Sequence, residues 1–231
     1  MDIATATGIS MAEPAADFGM LYLASPALPI GGFAYSTGLE SAIERGWVSD
    51  AASLQAWVEL VISQSLVRLD LPLLQRFYQA WQRQDQQALQ RWNDYLLASR
   101  ETQELEFEDL QQGLALQRLL RSLPVSLVGA PPEPSLLLMF SRAALHLGLS
   151  ERQGAQAWLW SWLENQVAVA SKTIPLGQTQ AQQVLMALLP QLANWLEQAA
   201  ALEDEHLGGS LPGVVMASSW HETQYSRLFR S

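Results

Sequence analysis

The sequence has no cysteine and, by direct count, a single lysine among its 231 residues. Without cysteine, the chain cannot form disulfides, thiolate nucleophiles, zinc–cysteine sites or iron–sulfur clusters. This composition favours a reducing, cytoplasmic environment. Basic residues are also few, with 13 Lys and Arg against 23 Asp and Glu, so the net charge is -10 at pH 7. Because nucleic-acid binding depends on clustered basic residues, we expect no nucleic-acid partner.

Long apolar runs are missing as well. Gln, Glu or Arg interrupts each apolar stretch before it reaches the roughly 18 residues that a membrane span requires, so no membrane association is expected. The first 16 residues contain the acidic Asp2 but no basic residue, and they have no apolar run typical of a signal peptide. We therefore interpret residues 1–16 as a flexible N-terminal segment.

Groups that commonly carry catalysis are scarce. The three histidines, His146, His206 and His221, are too far apart for a local metal motif. His146 lies in an apolar helical pattern and is predicted to be a core residue, while His206 and His221 are weak candidates for contact with a metal. No serine lies in a nucleophile elbow, and no glycine-rich nucleotide loop occurs. We expect a protein that is not an enzyme and binds no cofactor itself.

Hydrophobic residues make up 49% of the chain, and their spacing is helical. Asp70, Asp85, Thr102 and Ser150 are predicted N-caps, and Pro190 is expected to kink or divide the last long helix. No stretch has the alternating pattern of a strand. The sequence predicts an all-α protein, a single helical-bundle-like domain of roughly eight to ten helices over residues 17–207. Helices are expected at 54–66, 71–81, 85–96, 102–120, 135–147, 151–171 and 179–205.

Residues 28–40 form the first of three segments that a helical bundle does not need. The adjacent Gly31 and Gly32 permit backbone conformations that a Cβ would forbid, and the loop places large side chains at Phe33 and Tyr35. Thr37 and Glu40 have the spacing of a capping box for the next helix. An ordinary loop between helices is one interpretation, and a contact surface is the other.

The second segment, residues 170–179, contains the only lysine, Lys172. A cation at the end of a helix interacts favourably with the helix dipole, which is a sufficient structural reason for it. Alternatively, the amine meets a carboxylate of this chain or of a partner. A Schiff base is a third possibility, but no nearby cofactor pattern supports it.

The third segment is the tail, residues 208–231. Gly208, Gly209 and Pro212 separate it from the preceding helix, and its end combines aromatic residues with arginine. Such anchors on a loose segment are typical of folding coupled to binding. We therefore predict a flexible, partner-binding tail, with a tail that folds back on the body as the alternative.

These segments resemble the UreF family of urease accessory proteins. Residues 23–33 and 38–40, with 47–48, resemble its N-terminal signature; residues 159–166, with Lys172 and 175–178, resemble its C-terminal-half motif; and residues 221–231 resemble its terminal sequence. The resemblance implies an all-α homodimer that acts as a chaperone in nickel insertion into urease. It also implies assembly with the accessory protein UreD/UreH, the GTPase UreG and the urease apoenzyme, with nickel and GTP handled by these partners.

The resemblance further implies which residues bind partners. In the tail, UreD/UreH would order Tyr225, Ser226, Arg227, Leu228 and Phe229. The surface that receives UreG and governs its GTPase cycle would include the first two segments, through Pro29, Gly31, Gly32, Phe33, Tyr35, Ser36, Gly38, Glu40, Lys172, Pro175, Gly177 and Gln178. A competing hypothesis, a small-molecule-binding or enzymatic helical domain, rests only on the number of Trp and Tyr that could line a pocket.

Overall fold

Ten α-helices account for most of residues 13–231, the part of the chain that the computed structural model describes. The helices are α1 Glu13–Ala24, α2 Leu39–Glu44, α3 Ala51–Val61, α4 Asp70–Arg83, α5 Gln86–Ala98, α6 Gln103–Ser122, α7 Leu136–His146, α8 Glu151–Thr173, α9 Gln178–Ala200 and α10 Pro212–His221. No strand occurs within these residues, so the all-α prediction is confirmed. Among the same residues, none of the helices has the length and apolar character needed to cross a membrane.

The predicted flexible segment 1–16 lies mostly outside the described residues. Within the described part, α1 already begins at Glu13.

Several helices begin where the sequence predicts a cap. Asp85 accepts a hydrogen bond from the N–H of Ala88 at 2.9 Å, and Thr102 accepts one from the N–H of Leu105 at 3.2 Å. Ser150 caps α8 and forms a reciprocal capping box with Gln153. These contacts satisfy N–H groups that have no partner within the first turn of a helix.

One local prediction was wrong, and one of two alternatives for another is excluded. Asp70 does not cap α4, because its carboxylate is buried and pairs with Arg100 at 2.7 Å, while Leu69 occupies the N-cap position. Of the two effects expected of Pro190, a kink or a division, division does not occur, since α9 runs from Gln178 to Ala200 through the proline. Pro190 is exposed, so water can solvate the helix backbone where its N–H is missing.

A buried ion pair ties the central helices together. Arg100, which follows α5, lies 2.7 Å from Asp70 of α4 and 2.7 Å from Asp109 of α6. Asp109 also accepts the N–H of Leu136 at 2.6 Å, at the start of α7. Removing Arg100 would leave two buried carboxylates without a cationic partner, which is strongly destabilising. The packing of α6 against α7 is therefore set by polar contacts as well as by the apolar core.

The connector between α9 and α10 is fastened to the body. Arg76 pairs with Asp204 at 2.7 Å, the hydroxyl of Tyr95 donates to the Leu207 carbonyl at 3.0 Å, and the N–H of Gly208 donates to the Arg68 carbonyl at 2.9 Å. The glycine residues at this junction therefore do not detach the tail from the body.

The tail also departs from the prediction of a loose segment. Helix α10 packs against α2, with Ala217 and Ser218 fully buried. Near the end of the chain, Phe229 is 6% exposed and Ser231 is fully buried. The tail folds back because the buried carboxylate of Glu40 accepts two of its backbone N–H groups and the carbonyl of Ala34 accepts a third, contacts that the sequence pattern does not reveal.

Candidate functional site

The three segments singled out in the sequence come together in the structure. The carbonyl of Tyr35 accepts a hydrogen bond from the Asn165 amide at 3.0 Å, and that of Ser36 accepts one from Gln166 at 3.4 Å. On the other side of the loop, the N–H of Ser36 donates to the carbonyl of Ser231 at 3.0 Å. The loop at 28–40 is therefore held between α8 and the last ten residues, 222–231, which we call the strap.

Gly38 is the position where this arrangement requires glycine. Its φ is 80°, a left-handed conformation that side chains disfavour. A Cβ at Gly38 would also lie 3.2 Å from the backbone nitrogen of Ser218 and 3.4 Å from the carbonyl oxygen of Val214. The close approach of α10 to the loop thus depends on the missing side chain.

The predicted capping box at Thr37 and Glu40 was wrong. The N-cap of α2 is Gly38, without a side-chain cap. Thr37 instead donates to a carboxylate oxygen of Glu108 on α6 at 3.2 Å. The physical reason is tertiary: the tail supplies better donors for Glu40 than the helix start does.

Glu40 is the group that holds the strap backbone. Its Oε1 accepts the N–H of Leu228 at 2.7 Å, and its Oε2 accepts the N–H of Phe229 at 2.9 Å. The side chain of Glu40 is buried, where hydrogen bonds to an ionised group are stronger than on the surface.

His221 links Glu40 to a second carboxylate. Its Nε2 lies 3.1 Å from Glu40 Oε2, and its Nδ1 lies 2.7 Å from Glu104 Oε2 on α6. Glu104 Oε1 in turn accepts from Arg227 of the strap at 2.8 Å. Since both ring nitrogens face carboxylates and the side chain is fully buried, this arrangement leaves His221 no nitrogen to offer a metal.

The other two histidines lie elsewhere. His206 is exposed on the connector, where its ring and the carboxylates of Glu203 and Glu205 offer possible ligand atoms within 4.8 Å of one another. Exposed acidic groups of this kind are common without a metal, and the cluster is not part of the strap site. His146 is exposed at the end of α7, so the prediction of a core histidine was wrong.

Glu108 lies one helical turn beyond Glu104 and contacts the very end of the strap. Its Oε2 accepts the hydroxyl of Ser231 at 2.6 Å, and its Oε1 accepts the amide of Gln112 at 3.2 Å. Burial raises the pKa of Glu108 to about 7, against the lowering effect of the hydrogen bond from Ser231. A carboxyl group that changes charge near neutral pH therefore lies directly beneath the strap.

The predicted partner-binding residues divide into buried and exposed sets. Tyr35, Ser36, Gly38, Glu40 and Phe229 are buried within this chain and support the surface from below. The exposed set comprises Pro29, Phe33, Lys172, Pro175, Gly177, Gln178, Tyr225, Ser226, Arg227 and Leu228, with Gly31 and Gly32 half-buried. Only the exposed side chains are available to another molecule in this conformation.

Aromatic side chains flank the strap. Trp220 of α10 lies edge-on to Trp47, with ring centroids 5.4 Å apart, and the guanidinium of Arg45 lies 3.7 Å from the Trp220 ring centroid. Tyr225 is fully exposed and, with Trp47 and Trp220, lines a shallow depression. Aromatic and arginine side chains of this kind are typical of binding hot spots.

Lys172 is exposed at the end of α8. Its ammonium lies 5.6 Å from the centroid of the Phe229 ring, a cation–π contact that connects the second segment to the strap. Between residues 16 and 231, no carboxylate lies within 4.0 Å of this ammonium. A carboxylate of this chain, one of the partners that the sequence analysis considered for Lys172, is thus not found in the described part of the chain.

A cavity of about 730 Å³ lies beneath the loop, between α6, α7, α8 and α9. Its wall combines the aromatic side chains of Phe140, Trp158 and Trp162 with charged groups, among them Arg100 and Glu108. Such a volume is within the range of small-molecule sites.

A sequence model of the UreF family matches residues 48–189, more than half of the chain. The chain belongs to the UreF family. Three similar proteins are each named urease accessory protein UreF. The protein from Chromohalobacter salexigens is 50% identical, over 96% of this chain and 98% of its own length. Those from Teredinibacter turnerae and Hahella chejuensis are 47% and 48% identical, over 92% and 94% of this chain and 97% and 99% of theirs.

Membership of the UreF family confirms the resemblance found in the sequence. Because the relatives are named as accessory proteins, it also confirms that the chain is an accessory protein and not an enzyme. The enzymatic form of the competing hypothesis is thereby excluded.

Two residues of the strap site were not predicted from the sequence. Glu104 and Glu108 were not singled out as candidates, although they hold Arg227, His221 and Ser231. Their spacing could have indicated them. Residues four apart on a helix lie on the same face, so these two carboxylates are neighbours on one side of α6.

Proposed function

We propose that this UreF-family protein promotes nickel insertion into urease, in the cytoplasm, by bridging UreD/UreH and UreG. In this proposal the partners handle nickel and GTP, and the chain provides the surfaces that bring them together with the urease apoenzyme. The observation that carries the proposal is the convergence of the loop, the end of α8 and the strap on one buried polar network. A network of this kind fixes the exposed side chains above it.

The strap is the proposed contact for UreD/UreH. Leu228 is 71% exposed although both its own N–H and that of Phe229 are held to the body, and Tyr225 is fully exposed nearby. These large side chains are exposed while their backbone is held in place. Such preorganisation favours binding, because little conformational freedom is lost on association. Arg227 adds a charged group to the same surface.

Replacing Leu228 with Asp should remove capture of UreD/UreH while leaving the fold intact. The side chain is exposed, so no core contact is lost, but a charge would be placed in the centre of the proposed interface. We expect at least a tenfold weaker affinity in a titration with purified UreD/UreH, about 1.4 kcal/mol or more. The matched control is Leu60→Asp, because Leu60 is exposed on α3, away from the strap. Unchanged affinity for the Leu228 variant would remove the strap from this proposal.

The end of α8 is the proposed contact for UreG. Lys172 is an exposed cation on an acidic chain and has no carboxylate partner within the described residues, so it can receive one from another protein. Phe33, 66% exposed, and Gln178 line the cavity next to Ser171, the neighbour of Lys172, and would extend this surface.

Replacing Lys172 with Gln should lower stability by no more than the exposed contact with the Phe229 ring contributes, about 0.5–1 kcal/mol, and weaken the influence of this chain on the GTPase cycle of UreG. If Lys172 pairs with a carboxylate of UreG, removing its charge weakens the association of the two proteins rather than the folding of either one. The measurement is the GTP hydrolysis rate of UreG in the presence of the assembled accessory proteins. Lys172→Arg, which keeps the charge, is the control and should behave like the unchanged chain. An unchanged rate of GTP hydrolysis with the Gln variant would mean that Lys172 serves only as a cation at the end of a helix.

The homodimer is proposed to form through α1. Phe18, Leu21 and Tyr22 recur at helical spacing and are 73%, 60% and 45% exposed, while Gly19 and Leu23 face the body. Three adjacent large apolar side chains in water are typical of an interaction surface. We expect Leu21→Arg to give a monomer in analytical ultracentrifugation. Met186→Arg, which alters an exposed apolar residue on α9, should leave the dimer intact. A dimeric Leu21 variant would contradict the assignment of this face.

A further inference from the structure

Thr37 has a backbone conformation that its side chain disfavours. Its φ is 54°, in the left-handed region, and within residues 13–231 only Gln84 shares this property among residues other than glycine. The conformation is uncommon for any residue with a Cβ, and for a β-branched residue such as threonine it is an outlier. Such a residue persists only where its surroundings hold it in place, so the contacts around Thr37 must outweigh its strain.

The end of the strap supplies several of these contacts. The carbonyl of Ser231 accepts the N–H of Ser36 at 3.0 Å and also the Ser36 hydroxyl. The hydroxyl of Ser231 donates to one oxygen of Glu108 at 2.6 Å, and the hydroxyl of Thr37 donates to the other at 3.2 Å. The strap thus binds the residue before Thr37 and shares a carboxyl group with Thr37 itself.

The strap also holds the loop two residues earlier. The N–H of Arg230 donates to the carbonyl of Ala34 at 2.8 Å. From the opposite side, Gln166 of α8 donates to the carbonyl of Ser36 at 3.4 Å. If the strap leaves, the carbonyl of Ala34 and the N–H of Ser36 lose the partners that fix the turn into Thr37, while the longer contact with α8 is kept.

We propose that Thr37 is a positioning residue for the strap: docking holds its backbone in the left-handed conformation, and the strain is released when the strap leaves. The docked state then carries a cost that the undocked state does not. The strap is therefore closer to release than its hydrogen bonds alone would make it. The inference goes beyond the proposed function and holds whichever partner the strap contacts.

Hydrogen exchange on the full, unchanged chain tests whether the loop opens with the strap. The amides of Leu228 and Phe229 are bound to Glu40, and the amide of Ser36 is bound to Ser231. If the loop relaxes when the strap leaves, the protection of the Ser36 amide should not exceed that of the two strap amides. Protection of Ser36 that is higher by about tenfold or more would overturn the proposal, because the loop would then stay closed after the strap has gone.

Two variants separate the strain from the hydroxyl group. Thr37→Val keeps the branched side chain and Thr37→Gly removes it, while both lose the hydrogen bond to Glu108. At a position with an ordinary φ, the glycine variant would dock the strap less well, because glycine loses more conformational freedom. At Thr37 we expect the reverse, with the Leu228 and Phe229 amides about threefold or more better protected in the glycine variant than in the valine variant.

Thr37→Asn serves as the rescue, since asparagine adopts the left-handed conformation more readily and keeps a side-chain donor. Its strap amides should be protected at least as well as those of the unchanged chain. Gln84→Gly is the matched control, because Gln84 has a φ of 56° at the exposed end of α4, and its replacement should leave strap protection unchanged.

Equal protection in the valine and glycine variants, or lower protection with glycine, would overturn the proposal, since the strain would then be the same with the strap docked and undocked. The amide of Phe77, a fully buried residue of α4, shows in each variant whether the helical body is folded. Because the Ser36 comparison is made in the unchanged chain, it decides the question even if a variant does not fold.

Discussion

Replacing Glu40 with Ala should release the strap while leaving the helical body folded. The carboxylate accepts the N–H groups of Leu228 and Phe229 and contacts His221, so its removal leaves two backbone donors without their acceptor and one ring nitrogen without its partner. A buried donor without a partner costs about 1–3 kcal/mol, and undocking lets both N–H groups of the strap reach water instead. In the Glu40 variant, the state with the strap released is therefore lower in free energy than the state with the strap docked.

Two measurements check this expectation. The hydrogen exchange protection of the Leu228 and Phe229 amides should fall at least about tenfold, and capture of UreD/UreH should weaken because the strap must then be ordered on binding. Glu44→Ala is the matched control for the hydrogen exchange, since Glu44 lies one turn further along the same helix and is exposed, and Leu60→Asp is the control for capture. If the amides of the Glu40 variant stay protected, the strap is held by other contacts. If they are exposed but UreD/UreH still binds normally, docking of the strap is not needed for the complex.

Local features of the fold were predictable because they depend on neighbouring residues. The caps at Asp85, Thr102 and Ser150 follow from side chains that reach an N–H three residues on. Helical spacing located the long helices for the same reason, since one face of each helix must be apolar to join the core. The absence of strands from the described residues also agrees with this periodicity.

Features that depend on distant residues were not predictable from the pattern. Glu40 and Thr37 have the spacing of a local cap, yet Glu40 holds residues 188 and 189 positions away, and Thr37 contacts Glu108. Asp70 likewise has the sequence position of a cap and instead forms a buried ion pair. In each case a tertiary partner offered a stronger interaction than the helix start did.

In the three segments at the site, too, local features were predictable from the sequence and tertiary contacts were not. Their composition marked them as unusual for a bundle, and the structure brings all three together. Their individual roles differ from what sequence position suggests, because several of the conspicuous residues are buried supports. Glycine and proline at 208–213 indicated a loose tail, but such residues also permit the sharp turn by which α10 returns to α2.

Replacing Gly113 with Ala should be the most destabilising single-methyl change in the helices around the site. Gly113 lies in the middle of α6, where the segment before α7 crosses it. An added Cβ would overlap the carbonyl oxygen of Pro134 and lie 2.7 Å from the carbonyl carbon of Ser135 and 2.9 Å from the nitrogen of Leu136. All three are backbone atoms, so no side-chain rotation relieves the contact.

The crossing segment cannot easily move away, because polar contacts hold it on both sides. Asn93 donates to the carbonyl of Glu133 at 3.0 Å and accepts the N–H of Ser135 at 2.8 Å, while Asp109 accepts the N–H of Leu136. Accommodating the methyl group would break these buried hydrogen bonds or separate α6 from α7. We expect the free energy of unfolding to fall by about 3 kcal/mol or more, measured by urea denaturation.

Gly213→Ala is the matched control for this change. Gly213 lies in the first turn of α10 with no atom within 4 Å of an added Cβ, so a methyl group there meets open space and favours the helix. Gly113→Ala should also weaken UreD/UreH capture, because α6 carries both Glu104 and Glu108 to the strap. A loss of stability below about 1 kcal/mol would mean that the α6–α7 crossing can shift, in which case the positions of these carboxylates are not fixed by the crossing.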